Sequence, residues 1–190
     1  MARIHPVDPP YDHHTGEQLA KMMPPGVEPI RLFRTFAKNL PMAAAMGSWG
    51  SYELSRKLSL SMRDREILID RTCVRCGCEY EWGVHIAFFA DRVQLSTEQI
   101  ASITHGSADD SCWTDERDRL LIRTADALHD HATINDTLHG HLIAEFGEAE
   151  LMDIYMLCGW YHAISYSANA AGVDLELGAP TFAEHQPGRH

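Results

Sequence analysis

Alternating polar and apolar residues of the kind that make strands are nearly absent from these 190 residues. The apolar spacing is helical throughout, so the sequence predicts an all-α fold. Membrane-length apolar runs are missing too. The most apolar stretch, residues 151–164, carries Asp153 and His162 and is too short and too polar to span a bilayer. Positive charge is scarce: 16 Lys and Arg stand against 27 Asp and Glu, a formal net charge of −11. That balance argues against nucleic acid and anionic membrane as partners, since both demand a cationic footprint. Residues 1–10 show no apolar segment of the secretory-signal type. Together with five cysteines, an odd number, this leads us to expect a cytoplasmic setting in which any disulfide is transient. Glycine-rich phosphate loops, dinucleotide fingerprints and Gly-x-Ser-x-Gly elbows are also lacking, so the corresponding nucleotide and serine-hydrolase chemistries have no foothold.

What is present suits one domain with a real core, hydrophobic residues making up 45% of the chain. Residues 1–29, rich in Pro and His, read as an irregular arm, residues 30–175 as a helical domain and 176–190 as a tail. About seven to eight helices are expected. Ser61 and Asp64 form a capping-box signature before the helix at 63–73. Gly77 ends that helix, and a new one runs from 78 to 93. Ser96 caps a short helix, and the last long one covers 148–171, closed by Gly172. A faint repeat links Arg63-Asp64-Arg65 to Arg117-Asp118-Arg119, but the same offset places Leu120, Ala132 and Asn135 where Glu66, Cys78 and Glu81 stand. The repeat is either a second copy that lacks the chemistry of the first or a chance similarity of two amphipathic helices.

That chemistry is concentrated between residues 63 and 85. Cys73, Cys76 and Cys78 flank the Gly77 break, and Cys78, Glu81 and His85 then follow at i, i+3, i+7, along one face of a helix. Glu66 lies on the preceding helix, within reach if the two fold back on each other. A thiol beside an imidazole and carboxylates is the composition of a redox or acid–base site. Cys78 sits at a helix start, where free N–H groups favour a thiolate, while Glu79 and Glu81 oppose one. Cys76 and Cys73 are candidate resolving thiols, although residues two apart on a helix point away from each other. Zinc on Cys73, Cys76, Cys78 and His85 is disfavoured, because four ligands crowded into thirteen residues do not readily converge tetrahedrally. No metal is therefore expected, and with no phosphate loop or dinucleotide fingerprint no organic cofactor is expected either. Trp82, Trp160 and His162 are candidates to line a substrate pocket, and the pairs His129/His131 and His139/His141 read as surface.

Over about forty residues the sequence resembles the carboxymuconolactone decarboxylase family, which includes alkyl hydroperoxidase D. The residues that carry the likeness are Glu66, Gly77-Cys78, Trp82, His85 and Leu95-Ser96. The resemblance implies an all-helical domain assembled as a homo-oligomer and acting on a small molecule. It implies two chemistries. The hydroperoxidase branch uses a Cys-x-x-Cys dithiol with a histidine four residues later and a glutamate nineteen before the histidine. Cys78, His85 and Glu66 fill those positions, but Glu81 stands where the second cysteine belongs. The decarboxylase branch acts without cofactor on a small lactone acid and needs no dithiol. The leading expectation is thiol-dependent peroxide reduction, in which Cys78 reacts, His85 moves the proton, Glu66 and Glu81 assist, and a protein reductant regenerates the thiol. The alternatives are cofactor-independent acid–base chemistry on a lactone or carboxylic acid, and a non-catalytic helical binding protein.

Overall fold

A computed structural model describes residues 2–186. Among the described residues there are nine α-helices and no strand: α1 (His13–Met22), α2 (Arg31–Phe36), α3 (Leu40–Glu53), α4 (Met62–Arg75), α5 (Glu79–Phe89), α6 (Thr97–His105), α7 (Glu116–His131), α8 (Asp136–Glu145) and α9 (Glu148–Ala171). A 3-10 turn follows at Phe182–His185. None of these helices is long and apolar enough to cross a membrane. The expected irregular arm is corrected by α1. Asp12 accepts a hydrogen bond from the Thr15 backbone N–H and starts a helix that Leu19 anchors in the core. This helix brings the total above the seven to eight expected. The ends of the arm and of the tail, residue 1 and residues 187–190, lie outside the described residues.

α4 is the central helix, packed on α5, α6, α7 and α9. Ser61 and Asp64 cap it reciprocally, as their spacing predicts. Its other end is a glycine-closed helix terminus. Gly77 takes a left-handed φ of 61°, and its N–H donates to the Val74 carbonyl, while the Cys78 N–H donates to the Cys73 carbonyl at 2.8 Å. This turn reverses the chain into α5 and sets Cys78 directly over the last turn of α4.

The faint sequence repeat has a structural counterpart. Arg63, Arg71 and Arg75 on α4 pair with Asp118, Asp126 and Asp130 on α7, each fifty-five residues later. A constant offset means that the two helices run parallel. Arg117 reaches back from α7 to Asp64, so the two Arg-Asp-Arg motifs clasp each other. The buried member of this ladder, Arg71, also donates to the carbonyls of Ile103 and Gly106, which ties α6 to the same seam.

The C-terminal segment returns over α5. The Tyr80 hydroxyl accepts from the Leu32 N–H and donates to Glu176, and the Phe182 N–H donates to Glu79. Phe182 and His185 lie on the Trp82 ring. Gly83 is required here, because a Cβ at that position would stand 2.7 Å from the Pro180 carbonyl oxygen. Gly83→Ala is therefore expected to push the 179–185 segment off α5 at a cost of ~1–3 kcal/mol. Urea unfolding would show the loss, and limited proteolysis would show earlier cleavage in the tail.

Candidate active site

The turn at Gly77 folds α5 against α4 so that Glu66, on the inner face of α4, meets His85, on the inner face of α5. Their contact is short: His85 Nδ1 lies 2.7 Å from Glu66 Oε2. The other carboxylate oxygen accepts from Arg65 Nε at 2.6 Å. On its far side His85 Nε2 faces the Tyr161 hydroxyl of α9 at 3.1 Å. Glu81 Oε1, one helical turn before, is 3.6 Å from the same nitrogen, an ion-pair distance rather than a hydrogen bond. The result is a continuous chain, Arg65–Glu66–His85–Tyr161, with Glu81 alongside. All five side chains are buried, Glu66 to 1% exposure and His85 to 4%.

Burial works against a charged imidazole, but the negative charge and hydrogen bond of Glu66, aided by Glu81, outweigh it and push His85 up to about 10. At neutral pH the ring is therefore an imidazolium. Its Nδ1–H donates to Glu66, and its Nε2–H points at the Tyr161 oxygen. Burial, then the Glu66 charge, pushes Asp70 well above the usual carboxylate range. Glu66 thus lies between Arg65 and His85, and Glu81 stands on the other side of the imidazole. Tyr161 is pushed well above the ordinary phenol value by burial and stays protonated. No group among the described residues hydrogen-bonds Glu81 Oε2 or Trp82 Nε1.

The thiols have a different electrostatic setting. Cys73 and Cys78 are both 0% exposed. Burial pushes Cys78 up to about 11, against a small opposing effect of the Glu81 backbone N–H, and burial pushes Cys73 well above the usual thiol value. The helix start at Cys78 does not rescue a thiolate, because burial outweighs the N–H group offered there and the Glu81 charge adds to it. Alkylation at neutral pH is expected to reach the partly exposed Cys76 and Cys112 while Cys73 and Cys78 stay unlabelled, with Cys78 reacting only as the pH approaches 11. Peptide mapping by mass spectrometry checks the order.

Cys78, Glu81, His85 and Glu66 thus come together as their spacing suggests, with Cys73 beside Cys78. The Ser165 hydroxyl of α9 lies 3.9 Å from Cys73 Sγ. Cys76 is half-buried at the edge of this group: Ser165 serves its thiol as well as those of Cys73 and Cys78, and its sulfur lies 3.9 Å from His129 Nδ1. The aromatic candidates separate as well. Trp160 packs on Trp49, Trp82 packs on Phe182 and His185, and His162 stacks on His129. The expected surface position of His129 is corrected: its ring is half-buried between α4 and α9. The donor atoms of Cys73, Cys76, Cys78 and His85 do not gather within 4.8 Å of one another, and both His85 nitrogens are engaged by Glu66 and Tyr161. Arg65, Asp70 and Tyr161 are site members that the sequence motif did not single out. An i+4 spacing from Glu66 to Asp70 was a readable signal; Tyr161 stood out only as one of the last helix's aromatics, with Trp160 and Tyr166, that could wall a pocket or fill the core.

No protein-family model matches this sequence, and no curated protein matches it. Solved structures do. An uncharacterised peroxidase-related protein from Silicibacter sp. TM1040 superposes with a TM-score of 0.75 at 17% identity, over 94% of this chain and 96% of that one. The debrominase Bmp8 in its apo form gives 0.71 at 14% identity, over 96% and 97%. A cysteine-to-alanine variant of Bmp8 in complex with 2,3,4-tribromopyrrole gives 0.69 at 13% identity, over 91% of each chain. The chain has the alkyl hydroperoxidase D-like fold.

Proposed function

We propose that this chain belongs with the carboxymuconolactone decarboxylase family and transfers a proton to or from a small lactone or carboxylic acid, with His85 as the proton carrier. The observation that carries this reading is the occupancy of the imidazole: Glu66 holds Nδ1 at 2.7 Å, and Nε2 is left to Tyr161 and Glu81. Glu66 orients the ring and stabilises its charge. The Nε2 proton is the mobile one. Delivered to a substrate carbanion or enolate, it leaves a neutral imidazole whose Nε2 accepts from the Tyr161 hydroxyl, until a proton taken from an acidic C–H of the substrate or from solvent restores the imidazolium. Glu81 Oε2 is a buried acceptor for a substrate hydroxyl or acid proton. A homo-oligomer is part of the proposal, supported by the exposed Met152 and Met156, one turn apart on α9.

Thiol-dependent peroxide reduction is the second reading, favoured by the placement of Cys73 and Cys78 on either side of the Gly77 turn and by the peroxidase-related and debrominase names of the structural neighbours. There the Cys78 thiolate would attack the peroxide oxygen, releasing an alcohol and leaving a sulfenic acid. The Cys73 thiol would then expel water to form a disulfide, which an external dithiol reduces. The two readings are told apart by measuring solvent-deuterium incorporation into a panel of small lactone acids and keto acids, alongside hydroperoxide consumption. Exchange that survives Cys78→Ser supports the proton-transfer reading. Hydroperoxide turnover that Cys78→Ser abolishes, with no exchange on any acid, overturns it.

A further inference from the structure

About 100° round α9 from Tyr161, where the ends of α4 and α7 meet this helix, a second cluster of reactive side chains comes from three helices. Cys76 caps the end of α4, His129 lies in the last turn of α7 and His162 in the middle of α9. His129 Nδ1 is 3.0 Å from His162 Nε2, and Cys76 Sγ is 3.9 Å from His129 Nδ1. The three donor atoms all lie within 4.8 Å of one another, and each residue is half-buried. We propose that Cys76, His129 and His162 form a zinc-type site for a divalent transition ion, with three protein ligands and an open fourth position.

Three features favour metal over ordinary packing. The first is the spacing. In a tetrahedral zinc site with Zn–N near 2.0–2.1 Å and Zn–S near 2.3 Å, nitrogens sit about 3.4 Å apart and nitrogen and sulfur about 3.6 Å apart. The 3.0 and 3.9 Å separations differ from these by a few tenths of an ångström. The second is the orientation of His162. Its Nδ1–H donates to the Cys158 carbonyl at 2.8 Å, which fixes the tautomer and leaves the Nε2 lone pair directed at His129. A carbonyl on the far ring nitrogen is the outer support that metal-binding histidines use. The third is the backbone. α4 and α7 both end here, so the negative ends of two helices converge on the ligands. Arg75 is the cation nearest this end, and Asp126 and Asp130 pair with it. Asn169 holds the Cys76 carbonyl at 2.9 Å, and Tyr166 stands edge-on to His162 at the rim.

One soft and two borderline donors suit Zn²⁺, and three protein ligands with a water-accessible fourth position make the metal available to a small ligand rather than sealed as a structural site. Binding consumes the Cys76 thiol as a thiolate and releases its proton. An occupied site therefore removes Cys76 from any exchange with Cys73 and Cys78. The proposal is independent of the proton-transfer reading, since no ligand touches His85.

The test uses the full chain, stripped of metal and titrated with Co²⁺ and Zn²⁺. One Co²⁺ per chain is expected, with the visible bands of a tetrahedral ion and a thiolate-to-cobalt charge-transfer band. Cys76→Ser should remove the charge-transfer band. His162→Gln should weaken Zn²⁺ binding by at least ~100-fold, more than loss of an outer partner costs, with circular dichroism confirming that the variant is folded. In the wild type, needing no variant, Zn²⁺ should protect Cys76 from alkylation while Cys112 remains reactive. The exposed trio His13, His14 and Glu17 is the competing site. Binding that persists in His162→Gln but is lost in His13→Ala/His14→Ala overturns the proposal, as does the absence of a charge-transfer band or of Cys76 protection.

Discussion

His85→Gln is expected to lower turnover on the proton-transfer substrate by ~10²–10⁴-fold, the usual range for loss of a positioned acid–base group. Glutamine is the informative replacement. Its amide can donate to Glu66, so the buried carboxylate keeps a partner and the fold is spared the penalty of an unpaired charge. It cannot hold and release a proton. A variant that stays folded and loses turnover thus separates proton transfer from packing. Cys78→Ser is the companion. Its thiol is neutral at working pH, so replacing it with a hydroxyl of similar shape should leave the same turnover nearly intact. Side-by-side kinetics on the two variants, with thermal unfolding as the folding check, measure both effects. A large loss in Cys78→Ser would return the site to thiol chemistry.

The largest stability loss is expected from Arg65→Met, ~3–5 kcal/mol, because it breaks a buried pair by removing one partner. Arg65 is 5% exposed and Glu66 1%. Arg65 gives Glu66 two contacts, from Nε at 2.6 Å and from a terminal nitrogen at 2.5 Å, and its guanidinium lies over the Phe89 ring. Without it the buried Glu66 is left with His85 alone. Adding Glu66→Gln to Arg65→Met should recover part of the loss, since the stranded charge disappears. Arg123→Ala, which removes two surface pairs to Asp109 and Glu116, should stay within ~1 kcal/mol of wild type. Urea unfolding of the four proteins checks the ranking.

The sequence could be read furthest where local rules decide structure. Caps at Ser61 and Ser96, the glycine after α4 and the helical spacing placed most helices correctly, and the i, i+3, i+7 pattern put Glu81 and His85 on one face with Cys78. The Glu66–His85 contact was legible only through the family spacing, because it depends on the angle between two helices. Two features were hidden for a related reason. Tyr161 and His162 are neighbours in sequence, and successive residues on a helix diverge by about 100°. One therefore faces His85 and the other faces His129, and nothing local says which. The Arg-Asp-Arg repeat was visible as a pattern, but its meaning, a clasp between parallel helices, needed the packing of α4 on α7. α1 was missed because prolines on both sides of it concealed a short helix that depends on one Asp12 cap and one buried Leu19.

The titration of His85 also sets a direction for stability. Its folded value of about 10 lies above the ordinary 6.5. Its contribution is therefore complete below 6.5 and is lost as the pH rises through about 10. The ring itself reports the same event. Nitrogen-15 NMR of the imidazole, followed from pH 6 to 11, is the most direct measurement of a proton stored between Glu66 and Tyr161. Both His85 nitrogens protonated at neutral pH, with a single transition near 10 that moves down in Glu66→Gln, is the expected result. A neutral ring at pH 7 would contradict the proton-carrier assignment and leave the thiols as the remaining chemistry of the site.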